Sequence, residues 1–195
     1  MTTINVNAFH QRAARTIFPV ILLLLATGGA YSQRAAPGNA PPAVTKVGGA
    51  APDFTLQDFS GKRFTLSSSM KEKTVVLWFT NLCEGCQSVV PDVKTLKSKY
   101  EKKGVEFVAV SVLGKDRETV ESVMKENKVN FRFLYDPDGK ATASYAGRFV
   151  EATCPLKNIY VISKGGTIAF MSHLPGVDGR ELVAQIDKTL GDKAK

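Results

Sequence analysis

The sequence has few of the residues that build metal centres and disulfide frameworks. It contains three cysteines and two histidines among 195 residues. A zinc or copper site would have to combine Cys83, Cys86, Cys154 and His173, because the chain has no second Cys-x-x-Cys pair. A copper- or zinc-handling protein is therefore an alternative hypothesis, and our first prediction is that no cofactor is needed.

A long hydrophobic run is also missing. Residues 17–26 are apolar, but this run is shorter than the roughly 20 residues that a membrane-spanning helix needs. Arg12 and Arg15 precede the run and small residues follow it, as in an export signal. We predict a signal peptide at residues 1–32 and a periplasmic or secreted protein, with an uncleaved membrane anchor as the alternative. No cysteine directly follows the run, which argues against a lipid anchor there.

Acidic residues are fewer than basic ones, and the net charge is +8. Many lysines lie in residues 93–103, VKTLKSKYEKK, without a series of aromatic residues between them. Nucleic-acid-binding surfaces usually combine basic residues with aromatic side chains that stack on the bases. We therefore interpret these lysines as a solvated helix face and predict no nucleic-acid partner.

The composition changes along the chain and divides it into three parts. Residues 33–45 are rich in proline, glycine and alanine, which predicts a flexible linker after the signal. Residues 46–195 have the size and composition of one folded domain. We find no internal repeat in this domain.

The order of apolar and polar stretches predicts an α/β fold. Residues 53–66 alternate on both sides of Ser60-Gly61, which is typical of a hairpin. Strands that alternate with helices predict a mostly parallel central sheet, with an antiparallel edge and an N-terminal β-hairpin. Pro91 is expected to kink the first long helix. The other predicted strands are residues 74–80, 105–112, 130–136 and a hairpin around residues 164–166, and the predicted helices are residues 89–100, 116–127, 141–146 and 180–190.

The stretch TNLCEGCQ places two cysteines three residues apart, directly after the first core strand. A cysteine at the start of a helix is exposed to unpaired amide groups, which favour the thiolate. Cys83 would then attack a target disulfide, and Cys86, one turn further on, would resolve the mixed disulfide. A purely structural disulfide between them would close a very small loop and stabilise the protein little.

Several stretches resemble, in order and spacing, the redoxin branch of the thioredoxin superfamily. They are KVGGAAPDFTLQDFSGKRFTL, VVLWFTNLCEGC, VNFRFLYDPDGKATASYAG and IYVISKGGTI. The chain looks most like the exported TlpA/ResA-type thiol–disulfide oxidoreductases. The resemblance covers residues 46 to about 190 and implies a thioredoxin-like fold with Cys83 as the attacking thiol and Cys86 as the resolving thiol.

The chain departs from this family around the two cysteines. Leu82 stands where the family usually has tryptophan, Gly85 where it often has proline, and Val89 where many members have glutamate. Leu77 replaces the buried aspartate of thioredoxins proper. Glu84 is the nearest acid and is expected to face solvent.

The loop before the strand IYVI is irregular as well. The family has a cis-proline just before this strand, facing the cysteines. Lys157 occupies that position here, and Pro155 lies two residues earlier. The stretch TCPLK should nevertheless lie near Cys83 and Cys86, which would bring Cys154 close to them. Cys154 is then a possible third thiol: a buried apolar thiol, an alternative disulfide partner or a metal ligand.

A rival hypothesis is a thiol peroxidase of the peroxiredoxin type, with antioxidant activity. Thr80, three residues before Cys83, matches that pattern, whereas Val76 stands in place of its proline. Lys157 lies near the position of the peroxiredoxin arginine, but a lysine cannot make the forked contact of an arginine.

Our prediction from the sequence is an exported thiol–disulfide oxidoreductase that uses Cys83 and Cys86. Its expected partners are protein disulfides or dithiols. The family resemblance further implies that it acts as a reductase, kept reduced by a membrane electron donor. We expect a monomer.

Overall fold

The computed structural model of the protein describes residues 45–191. The predicted signal peptide and all of the predicted linker except Thr45 lie outside these residues. Thr45 is buried, and its hydroxyl donates a hydrogen bond to the carbonyl oxygen of Tyr145 at 2.8 Å. None of the helices in the described part is long and apolar enough to cross a membrane.

Strands and helices alternate along residues 45–191, as the sequence predicted. A single turn of 3₁₀-helix, Glu101–Lys103, follows the third α-helix. The strands are β1 Thr55–Asp58, β2 Arg63–Thr65, β3 Thr74–Thr80, β4 Val105–Ser111, β5 Arg132–Tyr135, β6 Ile159–Ile162 and β7 Ile168–Ser172. The α-helices are α1 Leu66–Glu72, α2 Glu84–Ser88, α3 Val90–Tyr100, α4 Arg117–Glu126, α5 Lys140–Ala146 and α6 Gly179–Gly191.

The described strands form a seven-stranded sheet in the order β2-β1-β5-β4-β3-β6-β7. The central strands β3, β4 and β5 are parallel. The β1–β2 hairpin joins β5 in antiparallel orientation, and the β6–β7 hairpin joins β3 in the same way. The predicted α/β fold, with a mostly parallel centre, an antiparallel edge and an N-terminal hairpin, is confirmed.

The two faces of the sheet bury separate apolar clusters, and β3 contributes to both. Val76 and Trp78 pack on one face together with residues of α3 and α6. Val75, Leu77 and Phe79 pack on the other face together with residues of α1 and α5. Successive strand residues point to opposite faces, so a strand that is buried on both sides needs an uninterrupted apolar run. Each such side chain stabilises the fold by roughly 1.5–3 kcal/mol when fully buried.

Two helical features differ from the sequence-based predictions. The short helix α1 was missed, because LSSSMKE contributes only Leu66 and Met70 to the core and shows little apolar periodicity. The predicted kinked helix is two helices, since α2 ends at Ser88 and α3 begins at Val90, with Val89 between them as the cap of both. Pro91 lies in the first turn of α3, where its missing N–H is tolerated.

The carboxylate of Asp136 fixes the start of α5. Asp136 is 1% exposed, and its Oδ2 accepts hydrogen bonds from both the amide and the hydroxyl of Thr142, each at 2.9 Å. Its Oδ1 lies 3.4 Å from the amide nitrogen of Ala141. The DPDG stretch is therefore a turn that also caps a helix.

We expect Asp136→Ala to lower the free energy of unfolding by about 1–3 kcal/mol, because it leaves buried donors of α5 without an acceptor. Urea unfolding monitored by circular dichroism measures this change. Asp138→Ala is the matched control, since Asp138 is exposed in the same turn and pairs only loosely with Lys140 at 3.8 Å. Equal stability losses in the two variants would contradict the role of Asp136 as a cap.

Candidate active site

A two-residue turn joins β3 to Cys83 and is held by side-chain hydrogen bonds. The buried hydroxyl of Thr80 accepts a hydrogen bond from the amide of Leu82 at 3.0 Å. The Oδ1 atom of Asn81 accepts one from the amide of Cys83, also at 3.0 Å. Leu82 has a φ of 52°, an uncommon conformation for a residue with a side chain. The side chains of Thr80 and Asn81 thus hold the turn in its conformation.

The two cysteines of CEGC differ sharply in exposure. Cys83 is exposed at the N-cap of α2, whereas Cys86 is 2% exposed within the apolar cluster that includes Trp78. The backbone carbonyl of Cys83 accepts a hydrogen bond from the amide of Gln87 at 2.8 Å. The side-chain amide of Gln87 donates to the carbonyl of Leu82 at 2.7 Å. The start of α2 therefore presents one thiol to solvent and one to the interior.

Cys154 lies against this turn from a loop between α5 and β6. The backbone amide of Asn81 donates to the Sγ atom of Cys154 at 3.3 Å. The side-chain amide of Asn81 donates to the carbonyl of Ala152 at 3.0 Å, which ties the loop to the turn. The Sγ atoms of Cys154 and Cys86 are 3.9 Å apart. The expectation that TCPLK lies beside the cysteine pair is confirmed, and Cys86 is the cysteine that it approaches.

The two facing thiols have opposite pKa shifts. The hydrogen bond to Cys154 raises the pKa of Cys86 strongly, and burial raises it further, while the Thr80 hydroxyl acts weakly in the other direction. The same hydrogen bond lowers the pKa of Cys154 and outweighs the opposing effect of burial, and the Asn81 amide lowers it further by a smaller amount. The Cys154 thiol donates to Asn81 Oδ1 at 3.1 Å, so its sulfur is free to accept from the Cys86 thiol.

A buried asparagine ties the loop before β6 to the loop after β7. The side chain of Asn158 donates to the carbonyl of Leu174 at 3.0 Å and accepts from its amide at 2.7 Å. Asn158 is fully buried and also lowers the pKa of Cys154 to a small extent. Our sequence-based predictions did not include Asn81 or Asn158, because the local sequence around an asparagine does not indicate which distant side chain it will contact.

The proline that faces the CEGC turn is Pro175. A side-chain carbon added at Gly85 would lie 3.7 Å from the ring of Pro175. The cis peptide bond of the described residues is Leu174–Pro175. The sequence slot of the family's proline falls at Lys157, with Pro155 two residues earlier, whereas Pro175 follows β7.

Pro155 and Lys157 instead border a groove beside Cys154, with a volume of about 500 Å³. The lining is largely apolar, and Leu156 at its edge is 90% exposed. Lys157 is exposed, and its carbonyl accepts a hydrogen bond from the hydroxyl of Tyr160 at 2.8 Å. The remaining lining residues are Thr45, Thr142, Tyr145, Ala146, Arg148, Val150, Thr153, Tyr160 and Met171.

The suggested metal ligands do not form a site. Within residues 45–191, no group of three or more histidine, cysteine and acidic side chains is close enough to hold a metal ion. His173 is exposed just after β7. Glu84 is exposed, as expected, and makes no described contact with either sulfur.

The chain is similar to thiol–disulfide oxidoreductases in sequence and in structure. Residues 47–171 match the AhpC/TSA family. The thiol-disulfide oxidoreductase ResA of Bacillus subtilis is 34% identical over 122 residues, which cover 62% of this chain and 64% of that protein. The ResA protein of Bacillus cereus is 23% identical over 176 residues, covering 90% of this chain and 95% of that protein.

A solved structure supports the same fold. The thioredoxin domain of a thiol-disulfide oxidoreductase from Bacteroides vulgatus superposes with a TM-score of 0.61. It is 20% identical, and the match covers 75% of this chain and 99% of that domain. The fold is thioredoxin-like.

The opposite pKa shifts of the two thiols can be tested by alkylation. Cys154→Ala should lower the pKa of Cys86, because it removes the acceptor that favours the protonated thiol. Cys86→Ala should raise the pKa of Cys154, because it removes the donor that favours the thiolate. We would measure the pH dependence of iodoacetamide labelling of each cysteine by peptide mass mapping. Unchanged labelling profiles in both variants would show that the two sulfurs do not share a hydrogen bond in solution.

Proposed function

The chain belongs to the AhpC/TSA family, and within it we propose that this protein is a thiol–disulfide oxidoreductase that exchanges disulfides with partner proteins through Cys83 and Cys86. The proposal is supported by the names of its relatives and by two cysteines three residues apart at the carboxyl end of β3. Ligands of α/β proteins commonly bind at this end of a parallel sheet.

The difference in exposure between the two cysteines is the observation that carries the proposal. Thiol–disulfide exchange needs one thiol that a partner can reach and one that is shielded until the mixed disulfide has formed. Cys83 is exposed and Cys86 is buried, one turn apart on α2. A structural disulfide would not need one sulfur at the surface, and a metal site would need further ligands nearby.

The reaction proceeds in two exchange steps. The Cys83 thiolate attacks a sulfur of the partner's disulfide, forming a mixed disulfide and releasing one partner thiolate. Cys86 then attacks the Cys83 sulfur, so the second partner thiolate leaves and the Cys83–Cys86 disulfide forms. The partner gains two electrons and the dithiol loses two. The proton of Cys86 passes to the partner thiolate that leaves.

We further propose that the protein is exported by the signal at residues 1–32 and acts as a monomeric reductase. Its partners are then protein disulfides outside the cytoplasm, and its own disulfide is reduced by a membrane electron donor. These proposals rest on the signal pattern and on the resemblance to the TlpA/ResA-type proteins. The exchange itself needs no cofactor and no nucleic acid.

A thiol peroxidase is the competing function, and the position of Thr80 bears on it. The Thr80 hydroxyl accepts from the Leu82 amide and lies beside the Cys86 thiol, whose pKa it lowers slightly. In this arrangement Thr80 supports the buried cysteine and the turn. We therefore favour disulfide exchange over peroxide reduction.

We expect Cys83→Ser to reduce the rate of insulin disulfide reduction to the uncatalysed background, because it removes the accessible nucleophile. Cys86→Ser should accumulate mixed disulfides with insulin, because Cys83 can attack but the thiol that resolves the intermediate from within the site is gone. Turbidity and non-reducing gels measure these two effects.

Ser88→Ala is the matched control, since Ser88 is an exposed residue of α2 whose hydroxyl donates to the Gly85 carbonyl. Full activity of Cys83→Ser would refute the mechanism. Rapid peroxide consumption that depends on Cys83, without insulin reduction, would show that the protein is a thiol peroxidase instead.

A further inference from the structure

Cys154 is not needed for exchange by a two-cysteine site, yet it is in contact with the buried half of that site. Its Sγ atom lies 3.9 Å from the Sγ atom of Cys86. We propose that Cys154 is a third redox-active thiol, which exchanges with the Cys83–Cys86 disulfide to form a Cys86–Cys154 disulfide and release a free Cys83 thiol. This inference rests on the proposed function, because it starts from the oxidised dithiol.

The geometry makes Cys86 the shared partner. A disulfide bond is about 2.05 Å long, so the two sulfurs have to approach by roughly 2 Å. Cys154 lies in a stretch without helix or strand between α5 and β6, and residues 151–153 just before it are exposed. Such a loop can move by this distance at lower cost than a packed strand or helix can.

The Asn81 side chain and amide hold Cys154 in the attacking position. The backbone N–H of Asn81 donates to the Cys154 sulfur at 3.3 Å, a contact that does not involve Cys86. The Cys154 thiol donates a hydrogen bond to Asn81 Oδ1 at 3.1 Å, and the same oxygen accepts from the amide of Cys83. One asparagine therefore contacts the attacking cysteine and the leaving cysteine of the proposed step.

The proposed step needs no external oxidant or reductant. The Cys154 thiolate attacks the Cys86 sulfur, a bond forms between these two atoms, and the Cys83–Cys86 bond breaks. The electron pair leaves with the Cys83 sulfur, which is exposed and takes up the proton that Cys154 lost. The number of disulfides stays at one throughout.

The two oxidised forms differ in what they do to a partner. With Cys83 free and Cys86 bound to Cys154, the exposed thiol still attacks partner disulfides, but Cys86 does not resolve the intermediate. The mixed disulfide then ends when another thiol of the same partner displaces Cys83, which rearranges the partner's disulfides without reducing them. Cys154 would thus divide the activity between reduction and disulfide rearrangement.

The test begins with the unmodified protein. We would oxidise the purified protein with one equivalent of diamide, quench samples with acid over time, alkylate free thiols and map disulfides by mass. We expect the Cys83–Cys86 and Cys86–Cys154 disulfides to appear together and to reach a constant ratio. Cys83→Ser should form the Cys86–Cys154 disulfide alone, and Cys154→Ser, the matched control, the Cys83–Cys86 disulfide alone.

The activity readout compares reactivation of scrambled ribonuclease with reduction of insulin. In Cys154→Ser the ratio of ribonuclease reactivation to insulin reduction should fall several-fold. A Cys83–Cys86 disulfide at all times, with both thiols of Cys83→Ser still free, would overturn the third thiol and leave the proposed function intact. A wild-type protein that never forms Cys83–Cys86 would overturn the exchange route and the proposed function together.

Discussion

The central strand β3 is hydrogen-bonded to β4 on one side and to β6 on the other, and all seven of its residues are buried. Its apolar side chains enter the clusters on both faces of the sheet, so its position cannot change without loss of both. The turn after β3 is therefore anchored at its first end by a rigid strand. Cys83 and Cys86 are held in defined positions because they follow, after a two-residue turn, a strand that is packed on both faces.

Asn81 extends this constraint to a distant part of the chain. It contacts Cys83 through its Oδ1 atom, Cys154 through its backbone amide and Ala152 through its side-chain amide. These hydrogen bonds keep the loop before β6 next to the turn after β3, although 73 residues separate Asn81 from Cys154. The contact between the Cys86 and Cys154 sulfurs is a consequence, and with it the opposite shifts of their pKa values.

Much of the fold was predictable because apolar periodicity is a local property. The continuous apolar run of β3 and the alternating pattern of the β1–β2 hairpin each appear within a few residues of sequence. The helix α1 was missed because it is short and packs few apolar side chains. The break at Val89 was expected only as a kink, since Pro91 is compatible with either outcome.

The sequence by itself determined the α/β fold and the position of two cysteines three residues apart at the end of the first core strand. Both follow from short-range patterns of side-chain polarity. The tertiary structure alone decided that Cys83 is exposed, that Cys86 is buried, and that Cys154 faces Cys86 with Pro175 across from Gly85. These relations depend on three loops, distant in the sequence, that meet at one end of the sheet, and the packing of such loops is set by the whole fold.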